Sequence, residues 1–144
     1  MPQAFWANYP DGFNPETLLS ENLLSSEQTN RMINQAKVGL CLSAREGGMC
    51  ASIQYLLCGL PVVTTPSAGG RDFFFEKDYV LTVEGAPKAV RNGVQEMISR
   101  NIPAEYIRQK TLQKIEAQRN IFIDLIQSIL DREGIKISYR KIFE

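Results

Sequence analysis

The sequence contains no histidine. That removes the usual general base near neutral pH, the commonest zinc ligand and every serine–histidine triad. It also has no excess of either charge: 16 Lys and Arg balance 16 Asp and Glu. A neutral chain gives no support for nucleic acid or an anionic membrane as its main partner. Cysteine is scarce. Cys41, Cys50 and Cys58 are odd in number and lie in apolar runs, which predicts free buried thiols in a reducing compartment rather than a disulfide frame. No stretch reaches the ~18 apolar residues of a membrane span. The beginning, "MPQAFWANYPDGFNPE", lacks the basic-then-apolar order of a signal peptide. Together these absences point to a cytoplasmic setting. They leave no metal-ligand cluster to predict, and neither an internal repeat nor a low-complexity tract is present.

What is there suits a single domain. A chain of 144 residues buries about 68–70% of its unfolded surface on folding. Residues 1–24 read as an irregular segment that packs by its rings, with "TLLSENLL" (17–24) a weak strand or turn candidate. Residues 25–133 read as the folded body, and 134–144 as a tail that is either a strand or a loose end. Ser25 and Gln28 form a capping box that opens a helix to about Ala36. "VGLCLS" (38–43) is a nearly continuous apolar run, as in a strand covered on both faces. A helix from Met49 presents Met49, Ile53, Leu56 and Leu57 on one face and stops at Gly59, with Pro61 beyond. "PVVTT" (61–65) and "YVLTV" (79–83) are the next strands. Pro87 opens a helix to about Arg100. Pro103 opens another, long enough that its pattern predicts a bend near Asn120. Alternating strands and helices give an α/β fold with parallel strands.

In such sheets the chemistry sits at the carboxyl ends of the strands. Two glycine-bearing loops follow strands, "SAREGGMC" (43–50) and "TTPSAGGRD" (64–72), and both are expected on the same edge of the sheet. A helix starting near Met49 points free backbone N–H groups at the first loop, which favours phosphate. Beside it, the Glu46 carboxylate suits an acceptor for sugar hydroxyls. The same spacing is also met by an ordinary strand-to-helix turn with a solvated Glu. The amide of Gln54 both donates and accepts, which suits a vicinal diol as well as it suits a helix surface. In the second loop Thr65 and Ser67 offer hydroxyls, Gly69 and Gly70 bare backbone, and Arg71 a charge. The alternative there is a long turn with a structural Arg71–Asp72 pair. Trp6 and the Phe73–Phe75 run read as packing.

The order of these parts resembles the carboxyl-terminal, donor-binding domain of retaining glycosyltransferases of the GT-B fold, group 1 or family 4 type. That pattern runs strand, Ser, Glu-Gly, helix with a second Glu, small-residue stop, Gly-x-Pro-Val-Val, Thr, Gly-Gly. Here the places are held by Ser43, Glu46-Gly47, the helix from Met49, Gly59-Leu60-Pro61-Val62-Val63, Thr64-Thr65 and Gly69-Gly70. The likeness covers roughly residues 20–130, most specifically 36–72.

The resemblance implies a partial Rossmann-like parallel sheet of three to four strands with flanking helices. It further implies a nucleotide-diphosphate sugar as substrate and no cofactor. In this role Glu46 contacts the donor sugar as the catalytic-site acid, and Gly47, Gly48, Met49 and Cys50 face sugar and diphosphate. Gln54 stands where the family carries its ribose-binding Glu, while Thr65, Gly69 and Gly70 complete the donor site. Phe73 stands where the family often has an acid. Residues 1–37 are too short for the earlier strands of such a domain, and no acceptor domain is represented. The implied partners are therefore the nucleotide sugar and a separate acceptor domain, with self-association of this chain through its unfinished sheet. A degenerate, non-catalytic scaffold and an unrelated α/β binding module remain the alternatives.

Overall fold

The computed structural model describes residues 25–142, and the readings made above for residues 1–24 lie outside them. The chain divides into two compact units, 1–32 and 33–144. Helix α1, Ser26–Gln35, crosses that boundary. Its capping box forms reciprocally: the Ser25 N–H donates to Gln28 Oε1 at 2.8 Å, and the Gln28 N–H donates to Ser25 Oγ at 3.2 Å.

The second unit is a mixed α/β arrangement. It is built on a three-stranded parallel sheet with flanking helices, compatible with a Rossmann-like fold. The strands are β1 (Gly39–Cys41), β3 (Val62–Thr64) and β5 (Val80–Thr82), in the order β1-β3-β5. The register pairs Gly39 with Val62 and Val62 with Val80. One residue on, Leu40, Val63 and Leu81 share the opposite face. A second, two-residue parallel pair joins β2 (Arg45–Glu46) to β4 (Ala68–Gly69).

Each sheet face has its own cover. On one side Cys41, Leu56, Val62, Tyr79, Val80 and Ile107 form the core. Leu56 belongs to α2 (Cys50–Leu57) and Ile107 to α4 (Ala104–Arg132). The phase of α2 differs from the expected one. Ser52 and Leu56 are its fully buried residues, while Ile53 and Leu57 are only half-buried. The reason lies under Tyr55, whose ring rests on Gly39; a Cβ there would meet Tyr55 Cδ2 at 2.5 Å. A glycine in β1 thus draws an aromatic ring onto the strand and rotates the helix toward Tyr55. On the other side α3 (Pro87–Ser99) approaches through Gly93, where a Cβ would lie 2.9 Å from Val83 Cγ1 and 3.2 Å from Val63 Cγ1.

The helix ends follow the sequence. Gly59 takes φ +74° past α2. The Leu60 N–H donates to the Tyr55 carbonyl at 2.9 Å and the Gly59 N–H to the Leu56 carbonyl at 3.0 Å, the two bonds of a Schellman stop. The long pattern after Pro103 forms one continuous helix of 29 residues, α4, through Asn120. No Pro or Gly interrupts it to cause a kink. Asn120 instead reaches along the helix to Glu116 and accepts a hydrogen bond from Arg140 at 3.0 Å. The tail is neither a strand nor loose over its described part. Its 3-10 turn, Tyr139–Ile142, is held to α4 by Gln127, which accepts from the Tyr139 N–H and donates to the Ile137 carbonyl.

Candidate functional site

The two glycine loops meet at the carboxyl ends of β1 and β3. β2 and β4 are their extended parts, paired Arg45 with Ala68 and Glu46 with Gly69. The Ala68 N–H donates to the Ala44 carbonyl at 3.0 Å and the Gly70 N–H to the Glu46 carbonyl at 3.2 Å. Gly69 makes this approach possible. It takes φ +122°, and a Cβ on it would overlap the Glu46 carbonyl oxygen. Gly70 lies against Gly47 and Gly48, with contacts of 3.6 to 3.8 Å from an ideal Cβ. Gly47 and Gly48 are different: a Cβ on either would meet nothing within 4 Å among the described residues. Among the described residues neither close packing nor a left-handed backbone calls for a glycine at either position, and both are exposed.

Glu46 is half-buried on β2, and its carboxylate has no side-chain partner among the described residues. Met49 is the N-cap residue of α2 and supplies no side-chain bond to the helix end. The first N–H groups of α2, at Cys50 and Ala51, thus have no side-chain acceptor among the described residues. Cys50 is exposed, which corrects the expectation of three buried thiols: Cys41 is buried, Cys58 half-buried. Position decides this, since Cys50 is the first residue of α2 at the loop. Gln54 follows one turn along α2 and is also exposed. Two serine hydroxyls in the loops, Ser43 Oγ and Ser67 Oγ, are enclosed and without partners among the described residues.

Arg71 is the residue whose role the sequence left open between ligand contact and structure, and the geometry decides for structure. Its side chain is fully buried. Nε donates to Asp72 Oδ1 at 2.7 Å and Nη1 to the Ser43 carbonyl at 2.6 Å. Nη2 donates to Thr64 Oγ1 at 2.7 Å and to the Thr65 carbonyl. One guanidinium thus clasps the end of β1, the end of β3 and its own loop. A rigid planar fork with five donors suits that task. Nothing in the local spacing of "GGRD" announces it, because the acceptors come from 28 and 7 residues away. The charge of Arg71 also reaches Cys41, but burial dominates there and raises the thiol above its ordinary value of 9.0.

The structure therefore brings Glu46, Gly47 and Gly48 together with Gly69 and Gly70, places Cys50 at the adjoining helix end, and puts Gln54 one turn further. Thr65 is buried and lines a separate cavity with Leu40, Leu42 and Ala44. Phe73 is more than half exposed, whereas Phe74 and Phe75 pack against the core. Among the described residues, no group of His, Cys, Asp or Glu is arranged to hold a metal ion, and no helix is long and apolar enough to cross a membrane. Comparison with protein-family models, with curated proteins and with solved structures returns no match.

Proposed function

We propose that this chain is the later part of the nucleotide-sugar-binding domain of a retaining glycosyltransferase of the GT-B type, acting in the cytoplasm. The observation that carries the reading is the pairing of the two glycine loops. It sets an unpartnered carboxylate, Glu46, beside open peptide groups at Gly47 and Gly48 and an uncapped helix end. In this reading Glu46 accepts hydrogen bonds from donor-sugar hydroxyls. The N–H groups from Gly47 to Cys50 hold the sugar and diphosphate, aided by the positive end of α2. Gln54 bonds a ribose hydroxyl, more weakly than a charged acceptor does. Gly69 and Gly70 close the second side, while Thr65, buried in the neighbouring cavity, lies outside this contact. Arg71 is fully engaged, so Arg45 is the basic side chain these loops still offer; the other basic groups for the diphosphate come from outside this chain, and the chain by itself does not turn over.

The test is calorimetric titration with UDP-, GDP- and ADP-sugars, first of this chain and then of this chain joined to the earlier strands and acceptor domain of a complete enzyme. One nucleotide sugar is expected to bind the complete form. Glu46→Ala should weaken the sugar nucleotide at least ten-fold while leaving the free nucleoside diphosphate within about two-fold, because one charged hydrogen bond contributes about 1.5–3 kcal/mol. Equal loss for both, or no binding of any donor by the complete form, sinks the reading. The exposed amide of Gln54 in place of a second acid favours one rival, a degenerate domain kept as a scaffold. Gln54→Glu separates the two: it strengthens nucleotide binding in a working site and does nothing in a scaffold.

A further inference from the structure

A large cavity lies apart from the glycines of the two loops. It is a groove of about 920 Å³ on the α3 side of the sheet, within the ~300–1,000 Å³ of ordinary small-molecule sites. Its walls are apolar: Leu40 and Leu42 of the β1 segment, Pro66 after β3, and Val90 and Val94 of α3. On this face α3 covers Val63 and Val83 through Gly93 but stops short of β1, so Leu40 and Leu42 stay 42% and 45% exposed. Among the described lining residues one side chain is charged, Arg91, with Gln95 one turn along the same helix. Neither side chain has a partner among the described residues. Ala86 and Pro87, where α3 begins without a side-chain cap, line the same groove.

We propose that this groove binds a long-chain carboxylate, with the hydrocarbon along Leu40, Leu42, Val90 and Val94 and the head on Arg91. The head is assigned by charge. A lone guanidinium takes a carboxylate bidentately, and the amide of Gln95, an i,i+4 neighbour, adds a donor to the same anion. The open helix end contributes positive potential. A dianionic phosphate would find no second cation among the described lining residues. The chain is assigned by the walls, which offer a hydrocarbon tail continuous apolar contact. The site shares Ala44 and Thr65 with the strand ends but not Glu46, and its test needs no nucleotide, so its failure is distinct from failure of the sugar-nucleotide reading.

The experiment uses the 144-residue chain without nucleotide, titrated with dodecanoate below its micellar concentration and followed by amide and methyl NMR. Saturable binding is expected, with shifts centred on Leu40, Leu42, Val90 and Val94. Dodecanol should bind at least ten-fold more weakly. Arg91→Glu should weaken dodecanoate at least ten-fold and Gln95→Glu by a smaller factor, both being exposed helix positions that leave the fold intact. Equal binding of dodecanol, an unchanged Arg91→Glu variant, or shifts centred on α4 would overturn the proposal. So would tighter binding of dodecyl phosphate, or a groove already protected by concentration-dependent self-association.

Discussion

Replacing Arg71 by methionine tests the clasp that holds the two loops. The substitution keeps a long, flexible side chain and deletes the fork. Four hydrogen bonds go, to Asp72, Ser43, Thr64 and Thr65. They do not all count equally. Asp72 has 43% of its side chain exposed and resolvates. Thr64 Oγ1 still donates to the Cys41 carbonyl at 2.9 Å, and the Thr65 carbonyl keeps a long contact to the same hydroxyl at 3.3 Å. The Ser43 carbonyl loses its side-chain donor outright. One orphaned acceptor and two weakened ones cost about 3 kcal/mol, at the lower end for breaking a buried ionic cluster. With a urea slope of ~1.5 kcal/mol/M, the unfolding midpoint falls by about 2 M. Arg71→Lys keeps the charge but reaches fewer acceptors and should recover less than half of that loss. Amide exchange of residues 44–48 and 68–70 should quicken in both variants. A Met variant within 0.5 M of the parent midpoint, with loop exchange unchanged, would show that the loops are held by β2–β4 pairing alone, since a clasp of this size predicts a shift of about 2 M.

Three further outcomes follow from named contacts. Gly69→Ala meets the Glu46 carbonyl at a backbone with φ +122°, so the β2–β4 pair should open, costing about 1–3 kcal/mol and deprotecting the Gly70 amide in hydrogen exchange. Iodoacetamide at pH 8 should modify exposed Cys50 in the folded protein and spare buried Cys41 until urea is added, as mass spectrometry of timed samples can check. Burial raises Cys41 above 9.0 and Tyr79 above 10.0. Both groups are held neutral by the fold, so their contribution is complete below those unfolded values and declines as pH climbs toward the higher folded ones. The melting temperature should therefore drop between pH 9 and 11, less so in a Cys41→Ala, Tyr79→Phe variant.

Local chemistry determined where the elements begin and end. Ser25 with Gln28, Gly59, Pro87 and Pro103 each act within a few residues of themselves. Their effects are present in the chain whatever it packs against, and the helices start or stop beside them. The apolar runs at 38–43, 61–65 and 79–83 likewise held the three parallel strands. The meeting of the glycine loops was legible because parallel strands open their carboxyl ends on one edge. What lay beyond local pattern was any property set by a partner distant in sequence. The rotation of α2 depends on Tyr55 finding a bare strand at Gly39. The role of Arg71 depends on the carbonyls of Ser43 and Thr65, which the fold alone brings to it. The groove at Arg91 exists only because α3 covers two strands and leaves the third. Spacing within a segment fixes which face a residue can take; only packing decides what that face meets.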